Sequence, residues 1–308
     1  MKFKLNYSLK DLTTIKIGGP AQFFTKIKNK EELIMAIKWA KAKKITWLVI
    51  GAGSNLIPND NGFNGLVIKN EIKDFRVKGF FVFVGAGNDL LKFIITVNKL
   101  GLGGMEKMAG IPGTVGGAIR GSAGAYGQEI KDHLKRVKVY DGNRVYWLTK
   151  KQCRFSYRES IFKKNKDWII LGAEFKLRPQ LAKELSQISK VIIRQRQEKY
   201  PPDLLCPGSF FKNIILAEIK PMTLRKKTIA RVPTEKIKYG KVAAGYFLEA
   251  VGAKGMRVGG IKVADYHGNL IYNFADGQSA DILELAKILK TQVKRKFGLD
   301  LEEEVQYL

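Results

Sequence analysis

Along the chain the apolar positions change their period several times, and each change marks an element. Over 29–44, NKEELIMAIKWAKAKK, the apolar residues Leu33, Ala36, Ile37 and Ala40 recur at three- and four-residue steps, which places them on one helical face. Asn29 and Glu32 stand in capping-box spacing at its start, and the closing lysines suit the negative end of a helix. A strand, ITWLVI, is expected next, running straight into GAGSNLIPNDNG. Two further apolar runs, GLVIKN and FFVFVGAGNDL, precede a helix expected near 89–99. Between 136 and 177 the pattern alternates and breaks as in antiparallel sheet, with Asp141, Gly142 and Asn143 as a turn. An amphipathic, strongly charged stretch at 181–199 leads to YPPDLLCPG, whose prolines forbid regular structure and suggest a boundary. A second α/β unit follows. It ends in a long helix, SADILELAKILKTQVKRKFG, with Ile282, Leu285, Ala286, Leu289 and Val293 in register and Gly298 as its stop. The pattern predicts an α+β protein of at least two domains.

Composition narrows the class. The chain has 308 residues, 45% of them hydrophobic, which is enough for real cores and long for a single one. No run approaches the ~18 uninterrupted apolar residues of a membrane span. The charged start, MKFKLNYSLKDL, does not read as a signal peptide. Two cysteines, Cys153 and Cys206, cannot make a disulfide framework, and with two histidines they do not suggest a metal site. A cytoplasmic protein is expected. The net charge is +27, yet the basic runs at 41–44, 163–166, 225–227 and 294–296 are scattered and lack interleaved aromatics. They read as a solvated surface that steers anionic small molecules rather than as a nucleic-acid stripe or a membrane-binding patch.

Glycine changes the picture. GAGSN at 51–55 and GAGND at 85–89 each follow a predicted strand, and GIPGTVGGAIRGSAGAYG at 110–127 holds seven glycines. Bare backbone at strand ends brings amides close to a ligand. A Rossmann turn needs a third glycine where Leu56 and Leu90 stand, and no segment ends in the lysine–hydroxyl pair of an ATP phosphate loop. The usual nucleotide folds are excluded, and a phosphate-bearing cofactor remains the better account of three such segments. One more stretch, CPGSFFKN at 206–213, sets a single hydroxyl, Ser209, between a glycine and two phenylalanines. Read alone, it is a tight turn whose serine bonds its own backbone.

Taken in order, TTIKIGGPA (13–21), GAGSNLI (51–57), GIPGTVGGAI with AGAYG (110–119, 123–127), CRFSYRES (153–160), GSFFKN (208–213), KVAAGYFLEAVGAKG (241–255) and LEEEV (301–305) closely resemble the UDP-N-acetylenolpyruvoylglucosamine reductase family, from about residue 10 to the C-terminus. The resemblance implies an FAD-binding domain of the vanillyl-alcohol-oxidase/p-cresol-methylhydroxylase type, built from two α/β subdomains at 1–68 and 69–180. A C-terminal α/β substrate-binding domain at 181–298 and a tail at 299–308 follow. It implies that FAD takes hydride from NADPH and passes it to the enolpyruvyl ether of a UDP-sugar, in a compact monomeric enzyme of peptidoglycan precursor synthesis. Gly51, Gly53, Ser54, Asn55, Gly113, Thr114, Gly117, Ala123 and Gly124 match the lining of the FAD site.

Hydride attack on an enolpyruvate drives negative charge into the neighbouring carboxylate, and that charge needs a fixed cation. Arg158 matches the family arginine in that role, its fork suited to a carboxylate, against the alternative of a surface pair with Glu159. Ser209 matches the proton donor, and Glu304 the acid that helps stabilise the intermediate, against the alternative of a merely acidic tail. Tyr157, Asn213, Lys241 and His267 match substrate-facing positions, although Lys241 also reads as one more solvated lysine and His267 as an ordinary turn residue. Ser122, where the family commonly has asparagine, Ile214, where proline is common, and Gln306, where arginine is frequent, depart from the pattern. Another flavin-dependent oxidoreductase on the same scaffold is the second reading, and a basic nucleic-acid-binding protein the third.

Overall fold

A computed structural model describes residues 1–219, 228 and 232–308; the basic run at 225–227 lies outside them. Two compact units interleave along the chain. The first comprises Met1–Tyr7, Ala21–Gly53 and Phe63–Pro201, and the second Ser8–Pro20, Ser54–Gly62 and Pro202–Leu308.

In the first unit, strands β1 (Lys4–Ser8), β2 (Pro20–Ile27), β3 (Thr46–Ile50) and β4 (Phe63–Asn70) form a sheet in the order β1-β2-β4-β3, parallel across its β2-β4 and β4-β3 pairs. Helix α1 (Lys30–Ala42) covers it with Leu33, Ala36, Ile37 and Ala40, all fully buried. The Asn29 side chain accepts from the Glu32 amide at 2.8 Å. The reciprocal half of the box is shifted by one residue, since Glu32 accepts from Lys28 N–H at 2.7 Å. Both bonds fill donors that a helix start leaves open.

A second sheet in this unit is antiparallel. Its strands β5 (Phe75–Lys78), β6 (Phe81–Gly85), β7 (Leu134–Tyr140), β8 (Val145–Thr149) and β9 (Ile169–Lys176) lie in the order β8-β7-β9-β6-β5. Asp141 Oδ1 accepts from Asn143 and Arg144 amides and closes the β7-β8 turn. Val82, Val84, Val137 and Phe175 point to one face of this sheet and pack on α2 (Leu90–Lys99) and α3 (Val115–Arg120). Tyr140, Ile169 and Leu171 belong instead to the core beneath α1, so the unit holds two apolar clusters. Helix α4 (Ile161–Lys164) is a single turn, and α5 (Ala182–Lys199) packs on α2. Asn98 of α2 donates to Ser189 Oγ of α5 at 2.8 Å, and both residues are buried. That bond and the burial of Leu185 draw α5 to the first unit, whereas the sequence boundaries assign 181–199 to the substrate domain.

In the second unit, β10 (Ile214–Ile215), β11 (Ile237–Lys238) and β12 (Lys241–Val242) pair in the order β10-β12-β11. Another small sheet joins β13 (Arg257–Val258), β14 (Ile261–Val263) and β15 (Ile271–Asn273) in sequence. Among the described residues this unit also holds helices α6 (Ala244–Ala250) and α7 (Ser279–Phe297). The α7 stripe Ile282, Leu285, Ala286, Leu289 and Val293 is buried, together with Phe210, Phe211 and Phe247. Gly298 ends α7 at φ 66°, the left-handed stop its sequence predicts.

Candidate active site

Within the first unit the glycine-rich segments meet. A side-chain carbon on Gly51 would fall 2.4 Å from Thr114 Oγ1, so only glycine allows the 51–53 backbone so near that hydroxyl. Thr114 caps α3 by accepting from the Gly117 amide at 3.2 Å, and Gly113 accepts from the Leu90 amide at 3.0 Å. Gly53 takes φ 68° at the end of the same loop. Ala123 follows α3, its amide bonded to the Ala118 carbonyl at 2.8 Å, and Gly124 pairs with Glu129. The hydroxyl of Ser122 is buried with no hydrogen-bond partner among the described residues, at a cost of about 1–3 kcal/mol unless a ligand satisfies it.

Arg158 sits at the tip of a two-residue turn in which Ser156 and Glu159 exchange both backbone hydrogen bonds, at 3.1 and 3.2 Å. Its φ of 58° lies in the left-handed region, strained for a residue with a side chain. The guanidinium donates to the Gly124 carbonyl at 3.1 Å and to the Ser122 carbonyl at 3.5 Å, and lies 5.1 Å from the centre of the Tyr157 ring. Glu159 pairs with Lys163 at 3.2 Å. The turn therefore joins Arg158 and Tyr157 to the 122–124 loop, an association of expected site residues distant in sequence.

Arg196 was not anticipated. Its guanidinium is depressed by burial, and the charge of Arg158 adds to the effect. Its Nε donates to the Gly110 carbonyl at 2.9 Å. Nothing in the local sequence RQRQEK separates this arginine from its solvated neighbours.

In the second unit, Ser209 and Glu304 lie on paired segments. Phe211 bridges Glu303 in antiparallel sense, Glu304 N–H donates to the Phe210 carbonyl at 2.8 Å, and Lys212 N–H donates to the Glu302 carbonyl at 2.8 Å. The Lys212 ammonium also pairs with the Glu302 carboxylate, and Lys290 binds Glu303 at 3.1 Å. Gly208 takes φ 86° just before Ser209, a turn that admits glycine readily. Ser54 and Asn55 belong to this unit. Asn55 donates to the Glu304 carbonyl at 3.0 Å rather than standing only as a loop residue of a cofactor site. Gln306 donates from its side chain to the Val305 carbonyl at 3.1 Å.

Asn213 accepts from the Ala244 amide at 3.4 Å, at the first residue of α6. Lys241 pairs with Ile215 and Lys238 in the small sheet. His267 Nδ1 accepts from the Asn269 amide at 3.0 Å, which leaves the ring proton of the neutral tautomer on Nε2. Glu249 accepts from Gly268 N–H at 3.1 Å and pairs with Lys254 at 3.1 Å. Burial pushes its carboxyl up, but these partners prevail and hold it below the ordinary range, helped by His267. Burial raises both thiols, Cys153 to about 12, so neither is a nucleophile near neutral pH. No group of three metal-ligating side chains occurs among the described residues.

Comparison with known proteins gives two family matches. Residues 21–144 match the family model of an FAD binding domain, and residues 201–308 that of the UDP-N-acetylenolpyruvoylglucosamine reductase C-terminal domain. The reductase of that name from Solibacter usitatus is 43% identical over 296 residues, covering 96% of this chain and 93% of the relative. The chain belongs to the UDP-N-acetylenolpyruvoylglucosamine reductase family. The family's reductase from Anoxybacillus flavithermus is 32% identical over 98% of this chain and 93% of its own length. The crystal structure of the family member from Thermus caldophilus superposes with a TM-score of 0.76 at 28% identity, covering 99% of this chain and 98% of the other.

The residues present fit the FAD that the matched domain binds. Gly51 leaves room beside Thr114, and the Ser122 hydroxyl still needs a partner.

Proposed function

We propose that this chain reduces the enolpyruvyl ether of UDP-N-acetylglucosamine enolpyruvate to UDP-N-acetylmuramate, using NADPH, in a cytoplasmic monomer. Its membership of the reductase family and its FAD binding domain support an FAD-dependent reduction in peptidoglycan precursor synthesis. No described helix is long and apolar enough to cross a membrane. Bound FAD would supply the hydride that NADPH provides, and the chain's own side chains do the rest.

In this reading Gly51, Gly53, Gly113, Thr114, Gly117, Ala123 and Gly124, with Ser54 and Asn55, hold the cofactor. Tyr157, Asn213, Lys241 and His267 hold the sugar nucleotide. As the hydride reaches the methylene carbon, negative charge spreads into the substrate carboxylate. The Arg158 guanidinium, anchored on two main-chain carbonyls, carries a full positive charge to meet it. Ser209 then delivers a proton to the carbon that bears the carboxylate, and Glu304 steadies the charge as it moves. Phe210 and Phe211 are fully buried beside that hydroxyl and keep bulk water from the segment.

The observation that carries the proposal is the pairing of Phe210–Lys212, directly after Ser209, with Glu302–Glu304, which fixes the two segments to one framework. Stopped-flow measurement of the two half-reactions tests it. Ser209→Ala is expected to leave flavin reduction by NADPH intact and to slow reoxidation by the enolpyruvyl sugar by roughly 10²–10⁴. Equal losses in both halves would make the serine structural and sink the assignment.

A further inference from the structure

Segment 209–212 has two edges, and the tail fills only one. On that side the Phe210 carbonyl and the Lys212 amide bond to Glu304 and Glu302. On the other side backbone pairing stops early. Ser209 bridges Leu270, and the Phe210 amide donates to the Asn269 carbonyl at 3.1 Å. In this antiparallel register Phe211 falls opposite Gly268, where the chain turns and the Gly268 amide donates to Glu249 instead. The amide and carbonyl of Phe211, in a residue with no solvent exposure, thus lack a strand to meet them.

Asn269 supplies that partner from its side chain. Its Oδ1 accepts from Phe211 N–H at 2.8 Å, and its Nδ2 donates to the Phe211 carbonyl at 2.8 Å. A carboxamide is planar and carries one acceptor beside its donors, so it takes the place of a peptide group in the missing strand. Asn269 is itself held. It is 3% exposed, its amide donates to His267 Nδ1 at 3.0 Å, and its carbonyl takes the Phe210 amide. One residue thereby links the Ser209 segment to His267, a proposed substrate contact.

We propose that Asn269 is a positioning residue that sets the reach of the Ser209 hydroxyl through the backbone of Phe211. The inference rests on the reading of Ser209 as proton donor. The physical reason is strict: a proton must travel to one carbon along one direction, and a displacement of about 1 Å costs roughly 10²-fold in rate. Tail pairing alone leaves the opposite edge free to pivot. Asn269 closes it.

The test uses the FAD-loaded enzyme and the same two half-reactions, with two variants. Asn269→Leu keeps the number and branching of side-chain heavy atoms and removes both bonds. It is expected to slow reoxidation by the enolpyruvyl sugar about 10- to 100-fold at every pH, with reduction by NADPH unchanged. Asn269→Asp carries a carboxyl that, when protonated, again offers one donor and one acceptor. Its burial against a backbone carbonyl raises its pKa, so reoxidation should recover as pH is lowered, relative to wild type. A merely structural residue gives no such recovery. Hydrogen exchange supplies a readout apart from activity, because the Phe211 amide should lose protection in Asn269→Leu and regain it in acidified Asn269→Asp.

Selective slowing in Ser209→Ala with none in Asn269→Leu would overturn this inference alone. Equal slowing of both half-reactions in Ser209→Ala would overturn the proton-donor reading and this inference with it. If Asn269→Leu does not fold, absence of pH rescue in Asn269→Asp is the result that overturns it.

Discussion

Asn55 and Glu304, 249 residues apart, are joined by a hydrogen bond of 3.0 Å from the Asn55 side-chain amide to the Glu304 carbonyl. The Asn55 carbonyl in turn accepts from the Gln306 amide at 2.9 Å, and Leu56–Ile57 pair in parallel with Gln306–Tyr307. The tail of the second unit is thus held on one side by the Ser209 segment and on the other by the loop that begins at Ser54.

Asn55→Ala is therefore expected to act on the tail. Loss of one part-buried bond should cost about 0.5–1.5 kcal/mol of stability. Reoxidation by the enolpyruvyl sugar should slow more than reduction by NADPH. Differential scanning calorimetry and stopped-flow absorbance check the two effects. A variant that instead loses FAD, with both half-reactions intact once FAD is in excess, would place Asn55 at the cofactor alone.

At Arg158 the backbone and the side chain make opposite demands. The φ of 58° favours glycine, while the proposed chemistry needs the guanidinium. Arg158→Gly should be more stable than Arg158→Ala by about 1–2 kcal/mol. Both should reoxidise about 10²–10³-fold more slowly than wild type. Paired Tm and rate measurements on the two variants separate strain from charge, and equal stability of the two would refute the strain argument.

Glu106 links acid stability to the first unit. Burial pushes its carboxyl up, yet backbone amides including that of Gly104, which donates at 2.7 Å, and the Gln128 amide, also at 2.7 Å, outweigh it and leave the pKa below the ordinary value. A depressed carboxyl stabilises the fold fully above its unfolded pKa of about 4.3, and that contribution is lost as pH falls through the lower folded value. Wild type should therefore lose Tm more steeply than Glu106→Gln as pH is lowered through and below about 4.3. Parallel pH–Tm curves for the two would show that Glu106 contributes nothing to acid sensitivity.

Some of this architecture was legible from local pattern. The α1 and α7 stripes, the Asp141 turn and the Gly298 stop depend on side chains within one or two turns of each other, so spacing alone predicts them. Helix α5 reads correctly as amphipathic, but its allegiance depends on Asn98 and Ser189, 91 residues apart, and no local rule reports such a bond. Arg196 was missed for the same reason. Its bond to the Gly110 carbonyl, 86 residues away, is what sets it apart from its solvated neighbours, and no local rule reports that bond either.

The sequence by itself determined the elements, the glycine-rich turns, and the family to which its motifs are similar. Those properties reside in short stretches, where sterics and side-chain spacing act within a few residues. Only the tertiary structure decided that the N-terminal stretches Ser8–Pro20 and Ser54–Gly62 join the C-terminal unit, that Asn55 holds the tail, and that Asn269 completes the edge of the Ser209 segment. A buried amide must find a partner wherever the fold brings one, and that partner's place in the chain is set by packing rather than by proximity in sequence.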